Sequence, residues 1–119
     1  MPIDISTPAP KILLLRISGE LTQPELAAGQ LRAVECIKKD GAVRFMILLE
    51  GFTGFANNFD WNDVSFQFEN DAFIEKMAFV GPKKWESTAS IFTGKGIRPF
   101  PINFFPPEDA LKAKAWLLG

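Results

Sequence analysis

A chain of 119 residues with 47% hydrophobic side chains, 13 basic against 14 acidic groups and a formal net charge of -1 has the length of one domain with a real core, and it lacks the basic surplus that broad phosphate-backbone binding needs. It contains no His, no Tyr and a single Cys, Cys36, which removes the usual base near neutral pH, the commonest soft metal ligand and any intrachain disulfide. A lone thiol suits a reducing compartment, and neither a secretion leader nor a bilayer-spanning run is present, so the expectation is one cytoplasmic domain over residues 1–119 with no nucleic-acid partner and no transmembrane segment.

Residues 12–17 are an almost unbroken apolar run ending at Gly19, the pattern of a strand covered on both faces. Residues 3–5, set apart by Pro8 and Pro10, can pair with it as an edge strand. Thr22-Gln23-Pro24-Glu25 is a capping box with Leu21 and Leu26 as a hydrophobic staple. Ala27, Leu31, Val34 and Ile37 then recur at helical spacing until Lys38-Lys39-Asp40-Gly41 supplies a basic last turn and a glycine stop. Residues 43–49 read as a central strand of a parallel sheet, with Gly51 expected to end it and 52–58 to form a loop. Asp60 or Asn62 can cap a helix running to about Asn70 that is apolar on more than one side.

Residues 76–80 are the next strand, closed by Gly81-Pro82. Trp85, Ala89 and Phe92 make an i, i+4, i+7 stripe on the following helix, which is expected to end near Gly94 and Gly96. Pro99 and Pro101 can only begin or edge a strand, which places the last one at 102–105. Pro106-Pro107-Glu108-Asp109 then opens a final helix whose expected apolar face is Leu111, Ala115 and Leu118. The fold class is therefore α/β: a mixed, mostly parallel sheet of about five strands with about four helices, right-handed crossovers and an antiparallel first strand.

Between Phe52 and Phe73 stand Phe55, Phe59, Trp61, Phe66 and Phe68 among Asp60, Asp63, Glu69 and Asp71, with no Lys or Arg. The rings either roof the sheet as core, or form a mobile lid hinged at Gly51 that opens a groove for an acyl chain or a partner helix. The location suits a ligand, because open α/β sheets bind beyond the carboxyl ends of their strands, where Gly51 and Gly81 fall. Asp60 and Asp63 can share a helical face and invite a metal or acid/base reading, yet aspartate at a helix start is ordinarily a cap. Gly81-Pro82-Lys83-Lys84 either holds a phosphate or lipid headgroup or is a turn with exposed lysines. Cys36 reads as a small buried apolar residue, and Trp85 and Trp116 as core anchors.

The candidate ligand-binding set is Phe52, Phe55, Phe59, Trp61, Asp63, Phe66, Lys83, Lys84 and Trp85, with no catalytic residue, metal or cofactor expected. Two functions follow: a non-catalytic module for an apolar or amphipathic, lipid-like small molecule, or a regulatory domain that meets a protein partner or a second copy of itself. An enzyme ranks below both, since only carboxylates, lysines and hydroxyls are available.

The chain resembles the SpoIIAA-like family of small bacterial STAS domains. The residues that carry the resemblance run from end to end: Arg16-Ile17-Ser18-Gly19-Glu20-Leu21-Thr22, Gly51-Phe52 with Trp61 and Asp63, Ala78-Phe79-Val80 followed by Trp85, and Phe105 leading to Ala113-Lys114-Ala115-Trp116-Leu117. The resemblance implies a STAS-like sheet and helix fold with distant similarity to lipid-binding CRAL-TRIO domains. Two departures stand out. Lys84 precedes Trp85 where the family commonly has an acid, and Glu50-Gly51-Phe52-Thr53 replaces the Asp-Ser pair phosphorylated in anti-sigma-factor antagonists of the wider STAS group.

Overall fold

The structure, a computed structural model, describes residues 3–56, 69–93 and 98–119, apart from the side chain of Phe92. Five strands form one sheet in the order β1-β2-β3-β4-β5. The edge strand β1 (Ile3–Ala9) runs antiparallel to β2 (Ile12–Leu21), while β3 (Val43–Phe55), β4 (Ile74–Val80) and β5 (Ile102–Phe105) continue parallel to it. The described helices are α1 (Gln23–Asp40), α2 (Glu86–Thr93) and α3 (Ala110–Leu118). The helix expected from Asp60 or Asn62 falls mostly on residues 57–68, outside the described residues.

Strand order equals chain order, so right-handed crossovers bring α1 and α2 to the same face of the sheet. There they cover Leu15, Phe45, Ile47, Met77 and Phe79 in the larger core cluster. The last helix follows β5 and takes the other face, over Met46, Ala78 and Val80. No helix of the described residues is long and apolar enough to cross a membrane.

The start of α1 forms as its sequence dictates: the Glu25 carboxylate accepts the Thr22 backbone N–H at 3.0 Å and the Thr22 hydroxyl at 2.6 Å. Gly41, at φ 84°, closes the helix by donating to the Ile37 carbonyl at 2.7 Å. Its buried face differs from the expected one. Gly29, Ala33 and Cys36 are buried, with Ile37 packed beside them, whereas Leu31 is 67% exposed. The small residues win because they let the helix approach the sheet: a β-carbon on Gly29 would lie 3.6 Å from a Leu15 methyl.

The last helix is rotated in the same sense. Ala113 and Leu117 are buried, while Leu111, of the expected face, is 82% exposed. Trp116 decides this, since its ring packs 5.9 Å from Phe105 and under the Lys76 ammonium, burying more area than a leucine can. Two strand cations then fix the register. Lys76 donates to the Trp116 carbonyl at 2.9 Å and Arg44 to the Leu117 carbonyl at 2.6 Å, satisfying acceptors that a helix end leaves free. Trp85, expected within the helix after β4, instead ends a 3-10 turn, Lys83–Trp85, that precedes α2.

Leu117→Ala should therefore cost about 2–5 kcal/mol in denaturant unfolding, and Leu111→Ala no more than about 0.5 kcal/mol. The reverse order would restore the sequence-derived face. The Arg44 guanidinium also donates to Glu75 at 2.8 Å, and that hydrogen bond holds the Glu75 carboxyl below its ordinary value. A depressed carboxylate adds stability above its unfolded pKa and loses it as pH falls through the folded one. Thermal unfolding should show Glu75→Gln less stable than the wild type at neutral pH, with the gap closing in acid.

Candidate functional site

Alternation along β3 puts Val43, Phe45, Ile47 and Leu49 on the face under α1 and α2. Continued without interruption, it would turn Phe52 to the other side. The pairing shows otherwise: Ile17 faces Leu49 and Gly19 faces Phe52, so β3 advances three residues while β2 advances two. A second slip follows, with Glu20 opposite Gly54 and Leu21 opposite Phe55. Gly51 at φ 70° and Gly54 at φ 130° supply backbone conformations that side chains disfavour. Gly51 therefore does not end the strand; it resets its phase, and the expected loop at 52–55 is strand.

The result is an aromatic cluster at the carboxyl ends of β3 and β4. Phe52 is buried and meets Phe55 edge-on at 5.3 Å and Trp85 at 4.8 Å. The indole packs beside Gly54, where a β-carbon would stand 3.9 Å from it in ordinary contact, so the φ of that residue rather than space favours glycine. The Lys84 ammonium lies 5.5 Å from the Trp85 ring, and Lys83 is exposed beside it. Of the expected set, the structure thus joins Phe52, Phe55, Trp85 and Lys84, with Lys83 adjacent. Phe59, Trp61, Asp63 and Phe66 lie outside the described residues, as does most of the lid expected to hinge at Gly51.

Behind the cluster, between the sheet and the helices α1 and α2, is a cavity of about 120 Å³ walled by Leu15, Ile47, Phe79 and Ala89, with Phe52 and Phe55 at one side. Lys83, Lys84 and Trp85 are not among its described walls. Its polar border was not legible beforehand. Arg98 donates to both oxygens of Asp71, at 2.6 and 3.1 Å, and to the Thr93 carbonyl at 3.1 Å, while its guanidinium stacks over Phe100. Its charge is thereby neutralised inside the fold. The Thr93 hydroxyl is likewise engaged, donating to the Ala89 carbonyl at 2.7 Å. No spacing rule links Asp71 to Arg98, and only the folded chain brings them together.

Cys36 offers no nucleophile. Burial, and then the neighbouring Asp40 carboxylate, push its thiol up from the ordinary value, so the thiolate is scarce at neutral pH. Among the described residues no group of His, Cys, Asp and Glu has the geometry of a metal site.

The SpoIIAA-like family profile matches residues 12–118. A search of curated proteins found no match. Among solved structures, an uncharacterized DUF3478-family protein with a SpoIIAA-like fold from Shewanella loihica PV-4 superposes with a TM-score of 0.68 at 19% identity, over 97% of this chain and 91% of that one. The Bacillus cell fate determinant SpoIIAA in its phosphorylated form superposes at 0.54 and 15% identity, over 92% and 96% of the two chains. Identities this low establish the fold alone.

If Gly51 is chosen for its left-handed backbone, Gly51→Ala should cost about 1 kcal/mol and Gly51→Asn less, since nothing lies within 4 Å of a β-carbon there. Equal losses in the two variants would mean that space rather than conformation selects the glycine.

Proposed function

The chain belongs to the SpoIIAA-like family, and we propose that it is a non-catalytic, cytoplasmic regulatory domain that binds another protein through the carboxyl-terminal edge of its sheet. The observation that carries this reading is that half-buried Phe55, at the end of β3, and half-buried Trp85, in the turn after β4, both pack on Phe52 with the exposed Lys83 and Lys84 beside Trp85. Aromatic anchors rimmed by charge are the usual centre of a protein interface. The partner is expected to present an acidic rim around an apolar patch.

A second reading takes the cavity as a small-molecule site, supported by its apolar walls. At about 120 Å³ it falls short of the roughly 300–1,000 Å³ of ordinary ligand pockets. A compact apolar group fits that space, whereas a lipid-like chain needs a wider opening.

Affinity purification from the native host, using tagged wild type, Phe55→Ser, Lys83→Glu with Lys84→Glu, and Ala89→Leu, separates the two readings. The interaction reading expects a defined protein that is retained by the wild type and by Ala89→Leu, and is lost from the two edge variants while their melting temperatures stay within a few degrees. A bound small-molecule mass in native mass spectrometry that Ala89→Leu alone removes would instead establish the cavity as the site.

A further inference from the structure

On the opposite side of the sheet, α3 packs along β3, β4 and β5. Its core cluster takes in Ile12 of β2, with Ala9 and Leu14 at the margin, and the rest of the outer face of β1 and β2 lies beyond it. There Asp4 stands opposite Arg16 and Ser6 opposite Leu14, and Arg16 reaches Glu50 at 3.5 Å. Asp4, Ser6, Arg16 and Glu50 are exposed, and Leu14 is half-buried. The sheet is thus double-covered at one side and single-covered at the other.

The helix next to this strip carries a second apolar stripe. Leu111 is 82% and Leu118 53% exposed, with exposed Ala115 between them at i+4. At 100° per residue Lys112 falls on one flank of the stripe and Lys114 on the other.

We propose that the stripe and the strip are the two halves of one self-complementary interface. The α3 helix of one protomer lies across the outer face of β1 and β2 of a second copy, and a two-fold axis along the strands returns the contact. Both α3 helices then lie side by side in a single layer between two sheets, each covering what the other sheet leaves bare. This contact is separate from the aromatic edge, which sits at the carboxyl ends of the strands.

Charge favours this arrangement: the strip presents two carboxylates, Asp4 and Glu50, against one cation, Arg16, and Lys114 on the flank of the stripe supplies the missing positive charge, Lys112 lying already 3.7 Å from Asp109. Each protomer contributes both a helix face and a sheet strip, so the contact is made twice.

Sedimentation equilibrium on the wild-type chain and on Leu111→Asp tests the proposal, with carbodiimide cross-linking of mixed isotope-labelled and unlabelled protein. The expected result is a reversible dimer that Leu111→Asp weakens by about tenfold or more without changing the melting temperature of the monomer. Cross-links should join Lys112 or Lys114 of one copy to Asp4 or Glu50 of the other. A chain that stays monomeric up to the highest soluble concentration overturns the proposal. So does a dimer that Leu111→Asp leaves intact, or one whose cross-links lie elsewhere.

Discussion

Strand β3 is buried on both faces from Val43 to Leu49 except where Arg44 and Leu48 reach the outer side, so its backbone must find every hydrogen-bond partner in β2 and β4 and its side chains need cover above and below. The chain meets that demand unevenly. Two described helices close one face and a single short one closes the other. The dense side explains why α1 turns glycine and alanine toward the sheet, because the helix there must come close to a row of large strand residues. The sparse side explains why Trp116 is recruited: a nine-residue helix has to cover three strands with few side chains.

Cations at the start of the strands reinforce the sparse side. Arg44 and Lys76 sit on the outer face at the amino ends of β3 and β4, where α3 arrives carboxyl end first with unsatisfied carbonyls. Antiparallel packing of a helix on parallel strands makes this meeting unavoidable, and positive side chains are the ones that benefit from it. Both residues place a cation in strands that are mostly apolar, and their role in ending the helix explains it.

At the other end of the strands the phase shift in β3 governs what the molecule can present. Without the extra residues at Gly51 and Gly54, Phe52 and Phe55 would point to opposite sides of the sheet. With them, both rings reach the helix-covered face and Trp85 closes over them. The cavity borders both rings, so the pair of glycines sets the aromatic edge and one side of the cavity together.

Among the described residues, the sequence by itself determined the elements and their order. The Thr22 capping box, the glycine stop at Gly41, the unbroken apolar runs of β2 and β3, and the prolines that confine β5 to an edge are local signals, each acting within a few residues, and each forms as its chemistry requires. It could not determine which face of a helix is buried. In α1 and α3 two stripes compete at the same spacing, and the choice rests on how closely the helix must approach a sheet that is distant in sequence. Nor could it determine the phase of β3 beyond Leu49, because a glycine after an apolar run signals an end and a bulge equally well until a partner strand fixes the register. The Arg98 pair with Asp71 belongs to the same class. Contacts between distant residues have no period, and only the folded chain decides them.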